Sequence, residues 1–178
     1  AYVAKVALRV ARASDLPDIP YTVSVLDSPV VNAFALPGGY VYVTRGLLAL
    51  ANSEAELAGV LAHEIGHVAA RHSAQRQTAA VGSQIFGTLL GAVVGSSAVN
   101  QLFNLGSQGL LASYSREQEF EADSLGVRYL ARAGYDPYAQ ASFLKQLADE
   151  TALAANLANR DAHAAQVDWL ATHPANEA

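Results

Sequence analysis

Apolar positions along the chain change their period twice, and the changes divide it into elements. Val3, Val6 and Val10 recur at the three- and four-residue spacing of a helix that buries one face, which predicts helix over Tyr2–Ala13. Asp15 to Pro20 is a Pro/Asp linker. The segments Tyr21–Leu26, Val30–Leu36 and Tyr40–Thr44 are rich in Val, Tyr and Phe. They are separated by Asp27-Ser28-Pro29 and Pro37-Gly38-Gly39, so they predict a small sheet containing one hairpin. From Ser53 the period becomes helical again: Ser53 with Glu56 forms a capping box, and Leu57, Leu61, Ile65 and Val68 line one face of a helix expected to reach about Arg76. A second box, Ser115 with Gln118, opens a helix that stops at Gly134, and Asp136-Pro137 starts a third. Ala152 to Ala165, rich in Ala and Asn, is too weakly patterned to assign.

These elements predict one α+β domain over residues 1–178, mainly helical, with a small sheet near its N-terminus. The chain opens on Ala1 and stops abruptly at Ala178, which reads as an excerpt of a longer product. Its net charge of -5, without a Lys/Arg cluster, argues against nucleic acid as a partner, because phosphate binding needs a concentrated basic face. The absence of cysteine removes disulfides and thiolate ligands and leaves both oxidising and reducing compartments open. Between Arg76 and Arg116 lie 39 uncharged residues, with Gly87, Gly91 and Gly95 four apart. A Gly-rich hairpin packed on the core is the simpler reading. The sharper one is a lid or membrane-surface contact through residues 81–112, since small residues at that spacing let helices approach closely.

The chemistry is concentrated in His63-Glu64-Ile65-Gly66-His67, an HExxH pattern. Two histidines four apart on a helix point the same way, so both imidazoles reach one zinc ion. On a helical wheel they lie nearly opposite Leu57, Leu61, Ile65 and Val68. One face is therefore expected in the core and the other toward a cleft, with Glu64 between them.

A catalytic zinc needs a third protein ligand and an open position for water. Ala70 and Ser73 occupy the places where the HExxHxxGxxH pattern requires Gly and His, so that class is excluded, and a downstream carboxylate is the natural candidate. Within Ser115–Asp123, Glu117 and Glu121 share a face with Arg128 and Arg132, as solvated, ion-paired side chains do. Glu119 lies opposite, beside Ala122, Asp123 and Gly126, whose small size lets another helix come close. Buried there, Glu119 would be satisfied by zinc, and Asp123 by the outer N–H of a liganding histidine. An ordinary buried ion pair with arginine is the competing reading of both carboxylates.

With these residues in place, the chain resembles the zinc peptidase family that includes the heat-shock protease HtpX, the CAAX prenyl protease and the periplasmic BepA-like enzymes. The resemblance is carried by HExxH at 63–67, by ExxxD in Glu119-Phe120-Glu121-Ala122-Asp123, and by the stretches Val31–Gly39 and Thr172-His173-Pro174. It implies a zincin-like fold with the HExxH helix in the core, one zinc per chain held by His63, His67 and Glu119, and a metalloendopeptidase whose general base is Glu64. It further implies an edge strand at Asn32, Ala33 and Phe34 that pairs with an extended substrate, although Phe34 in an ordinary edge strand is an equal alternative. His173 resembles a histidine that approaches the zinc in some relatives, a candidate fourth ligand or latency device, with an exposed loop histidine as the alternative. The substrates implied are unfolded or membrane-associated polypeptides, in a bacterial periplasm or cell envelope. Tyr114, Arg116, His163 and His173 are unranked candidates for oxyanion stabilisation. Two rivals remain at this point: a zinc-stabilised chaperone or adaptor that binds clients without cutting them, and a closed structural zinc site.

Overall fold

The computed structural model describes residues 2–75 and 114–158. Helix α1 spans Tyr2–Ala13, and its valines 3, 6 and 10 are buried as their spacing predicts. Strands β1 (Thr22–Leu26), β2 (Ala33–Leu36) and β3 (Tyr40–Thr44) form a sheet in the order β1-β3-β2. β2 and β3 make the expected antiparallel hairpin, with Ala33 opposite Val43, while β1 runs parallel to β3. A short helix not foreseen in the sequence, α2 (Arg45–Leu50), follows β3 directly. The Thr44 hydroxyl caps it by accepting from Leu47 N–H at 3.3 Å, and Leu47 is fully buried. Six residues are too few for a helical period to show.

The central element is α3, Glu54–Ala69. Ser53 caps it by accepting from Glu56 N–H, but the Glu56 carboxylate reaches one residue further back than a capping box requires, to Asn52 N–H at 2.8 Å. Two expectations for this helix need correction. It was expected to run to about Arg76, yet it ends at Ala69. Arg71 then adopts the left-handed conformation (φ 58°), and helical geometry resumes over 72–75. The histidine face was expected to open on a cleft; every residue from Glu56 to His67 is buried, and His67 borders a cavity. The reason is packing on all sides: α1, the sheet, and two further helices surround α3.

Those helices are α4 (Arg116–Ala133) and α5 (Ala139–Ala158). The Ser115/Gln118 box that opens α4 is fully formed, and Gly134 closes it in the left-handed conformation (φ 75°). Asp136 accepts from Tyr138 N–H and leads into α5, which starts two residues after Pro137 and includes the beginning of the stretch left unassigned above. The core that joins these elements holds Val10, Val41, Val43, Leu61, Ile65, Tyr129, Phe143 and Leu147. The fold is thus the α+β architecture expected, with the HExxH helix at its centre. Residues 77–113 of the uncharged stretch, with the span 81–112 inside them, and His163 and His173 lie outside the described residues.

Candidate metal centre

The position of the site follows from how closely α3 and α4 approach. A Cβ on Gly66 would sit 2.9 Å from the Ala122 carbonyl oxygen, and one on Gly126 would sit 3.2 Å from His63 N and 2.7 Å from Gln140 Oε1. The first contact would force α3 and α4 apart, and the second would press on the α3 backbone and displace the Gln140 side chain. With glycine at both positions, Glu119 on α4 comes level with His63 and His67 on α3.

The three side chains converge. His63 Nε2 and His67 Nε2 are 3.0 Å apart, Glu119 Oε2 is 3.5 Å from His63 Nε2, and Glu119 Oε1 is 3.4 Å from His67 Nε2. All three side chains are buried. Ligands held about 2.0–2.1 Å from a tetrahedral ion stand about 3.4 Å from one another, so the donor atoms have the spacing of one face of such a site. This group can hold a metal ion.

Electrostatics agree with the spacing. Burial alone would lower the His63 pKa, but hydrogen bonds to Asp123 and Glu119 and the charges of Glu64 and Glu119 outweigh it and push it up to about 10. Carboxylates grouped around a buried imidazole call for positive charge, which a proton supplies in one state and a metal ion in another.

Behind each histidine stands a second group. His63 Nδ1–H donates to Asp123 Oδ1 at 2.9 Å, and Gln140 Nε2 on α5 donates to the same oxygen at 2.8 Å. Asp123 thus lies against the outer ring nitrogen of His63. His67 has a different support: its Nδ1 lies 2.9 Å from His72 Nδ1, and His72 Nε2 lies 3.2 Å from Glu121 Oε2. Tyr114 stacks on His67 with ring centroids 3.7 Å apart and planes 21° from parallel, its hydroxyl 3.0 Å from Ser73 Oγ.

Here the sequence reading of Glu121 is corrected. Arg128 and Arg132 reach Asp15 in the linker after α1, while Glu121 turns to His72. A wheel drawn for α4 alone cannot show a partner on another element. The roles of His72 and Gln140 were missed altogether; the one available signal was a fifth-residue histidine after HExxH, at a spacing that an unbroken helix does not bring into register.

Beside the centre lies a cavity of about 310 Å³, lined by His67, Val68, Arg71, Leu36 and Gly38 among others. It brings Leu36, at the far end of β2, next to the turn of α3 that carries His67. Thr44 N–H donates to the Asn32 carbonyl at 3.0 Å. Alternation along an antiparallel pair then turns the backbone groups of Asn32 and Phe34 toward β3, and those of Ala33 and Ala35 toward the outer edge. Phe34 stacks on Tyr42 and is half-buried. No helix among the described residues is long and apolar enough to cross a membrane.

An HExxH helix buried at the centre of an α+β domain, with a glutamate from a neighbouring helix completing a group that can hold a metal ion, defines a metallopeptidase-type site. The chain matches peptidase family M48 over residues 1–178, and it belongs to that family. It is 38% identical over 140 residues to the mitochondrial metalloendopeptidase OMA1 of Schizosaccharomyces pombe, covering 78% of this chain and 41% of that protein. It is 36% identical over 167 residues to the mitochondrial metalloendopeptidase OMA1 of Arabidopsis thaliana, covering 94% and 32%. The beta-barrel assembly-enhancing protease of Yersinia pestis is 35% identical over 141 residues, covering 74% and 29%. The chain thus spans less than half the length of these relatives.

Proposed function

We propose that this domain is a zinc-dependent endopeptidase in which His63, His67 and Glu119 hold the metal and Glu64 is the general base. The observation that carries the reading is the convergence of three buried donor atoms at metal-ligand spacing, with a second buried acid, Glu64, on the same turn of α3. When bound, zinc supplies Lewis acidity, polarising a carbonyl and making water acidic enough to ionise near neutral pH. Asp123 holds the His63 ring with its Nε2 lone pair toward the centre. Glu64 accepts the proton of the attacking water on a carboxylate oxygen and delivers it to the leaving amine. Two buried carboxylates near one another thereby take different roles, one as ligand and one as proton carrier.

The substrate is a polypeptide in extended form. It adds as a strand along β2, bonding the outward backbone groups of Ala33 and Ala35, within the segment where Asn32, Ala33 and Phe34 were expected to bind it. Asn32 and Phe34 contribute through side chains, since their backbone groups are turned to β3. The cavity beside His67 accepts a side chain of that substrate. A role in quality control of unfolded or membrane-associated proteins, in a bacterial periplasm or envelope, is supported by the relative whose name refers to β-barrel assembly. The test is cleavage of an unfolded casein-like protein by wild type and Glu64→Gln, with zinc content measured on both. The reading expects Glu64→Gln to keep its zinc and lose turnover. Cleavage at the wild-type rate by Glu64→Gln would remove Glu64 from its role.

A further inference from the structure

His72 is fully buried, titratable, and unused by the mechanism above. We propose that Glu121 and His72 form a positioning chain that fixes the tautomer and orientation of His67, and through it the metal-facing nitrogen. The inference rests on His67 being a ligand.

Proton placement along the chain follows from its outer end. An ionised carboxylate only accepts, so His72 Nε2 carries the proton that meets Glu121 Oε2 at 3.2 Å. In neutral His72 the other nitrogen, Nδ1, is then a lone pair. At 2.9 Å it accepts from His67 Nδ1–H. His67 Nε2 is left with its lone pair directed at the site, 3.4 Å from Glu119 Oε1. Reversing the chain would put a proton on the nitrogen that must ligate.

Two further features hold this arrangement. Arg71, between His67 and His72, has φ 58°, a conformation that costs a residue with a side chain about 1–2 kcal/mol. On an unbroken helix, residues five apart do not face each other. The break at Ala70 and Arg71 is what turns the His72 ring back onto His67. Tyr114 closes the other side by stacking on the His67 ring, and its own hydroxyl is tied to Ser73, the residue after His72. Strain concentrated at a site is expected where the surrounding structure uses the geometry it produces.

The chain differs from the Asp123 support in a way that can be measured. Its inner member is a second imidazole, and its carboxylate is at the surface, with 61% of the Glu121 side chain exposed against 31% for Asp123. Glu121 therefore acts only through His72.

The experiment is a zinc-affinity measurement by chelator competition, with visible spectra of the cobalt-substituted intact protein, on wild type, Glu121→Ala, His72→Ala, His72→Asn and the combinations with Glu121→Ala. Glu117→Ala, an equal loss of charge on the same exposed turn of α4, is the control. His72→Ala should weaken zinc binding about 10–100-fold and shift the cobalt bands, as loss of an outer partner of a metal ligand does. Glu121→Ala should weaken it several-fold in the wild-type background and add nothing to His72→Ala. Asn at 72 keeps an oxygen that accepts from His67 Nδ1–H but is too short to reach Glu121. It should restore most of the affinity and abolish the effect of Glu121→Ala; this arm carries the test if His72→Ala does not fold, as judged by circular dichroism. Turnover should fall in kcat with KM nearly unchanged. The inference is overturned if Glu121→Ala matches Glu117→Ala in affinity and cobalt spectrum, or if its effect persists undiminished when His72 is replaced. Failure of the wild type to bind zinc or cobalt would overturn it together with the reading of the site; wild-type binding with unaffected variants would overturn it alone.

Discussion

The two histidines of α3 are chemically identical and one turn apart, yet they are held from opposite directions. His63 is braced across the fold, by Asp123 on α4, itself fixed by Gln140 on α5. His67 is braced from its own stretch of chain, by His72 just past the helix break, with Tyr114 over its face. The first support depends on how tightly three helices pack, and the second on one strained residue. A site built this way loses each ligand by a different route, which gives perturbations that separate them.

The largest break abolishes what the two histidines share. Glu119→Ala removes the group that both Nε2 atoms face, and zinc affinity should fall by three orders of magnitude or more, about 4 kcal/mol or above at 1.4 kcal/mol per decade, in a competition titration. Next comes the packing on the His63 side. Gly126→Val inserts a branched side chain against His63 N and Gln140, so it should destabilise the fold by roughly 1–3 kcal/mol in a denaturant melt and weaken zinc binding with it. Asp123→Asn is finer: the fold stays, the amide no longer balances the His63 N–H with a charge, and zinc affinity should drop about tenfold.

A separate effect is in protons. His63 is raised from 6.5 to about 10 in the metal-free fold, so its charged form stabilises that fold. This contribution is complete below pH 6.5 and is lost as pH rises through 10; the metal-free protein should therefore melt at progressively lower temperature over that window. Zinc binding must displace the same proton, so about one proton should be released per zinc bound at pH 7–8, read in a weakly buffered titration.

How far the sequence could be read follows the same division. The convergence of His63, Glu119 and Asp123 was legible because each sits on a regular helix, where spacing gives direction, and because small residues at 122 and 126 marked the face where helices meet. The hairpin was legible from its turn residues. His72 was not, since its direction depends on the left-handed backbone at Arg71, and no spacing rule anticipates a strained arginine. Glu121 was placed with the solvated charges because its arginine neighbours suggested ion pairs. The structure gives those arginines to Asp15, a residue of the linker over a hundred positions away. The burial of α3 on both faces was likewise invisible, because its amphipathic pattern reports polarity and not the carboxylate and imidazole partners that let a polar face be buried.

The most direct test of the account is the coordination of the metal itself. X-ray absorption at the zinc edge of the loaded protein should show one zinc bound by two imidazoles and one carboxylate, with the carboxylate lost in Glu119→Ala. A zinc shell unchanged by Glu119→Ala, or one without two imidazoles, would contradict it.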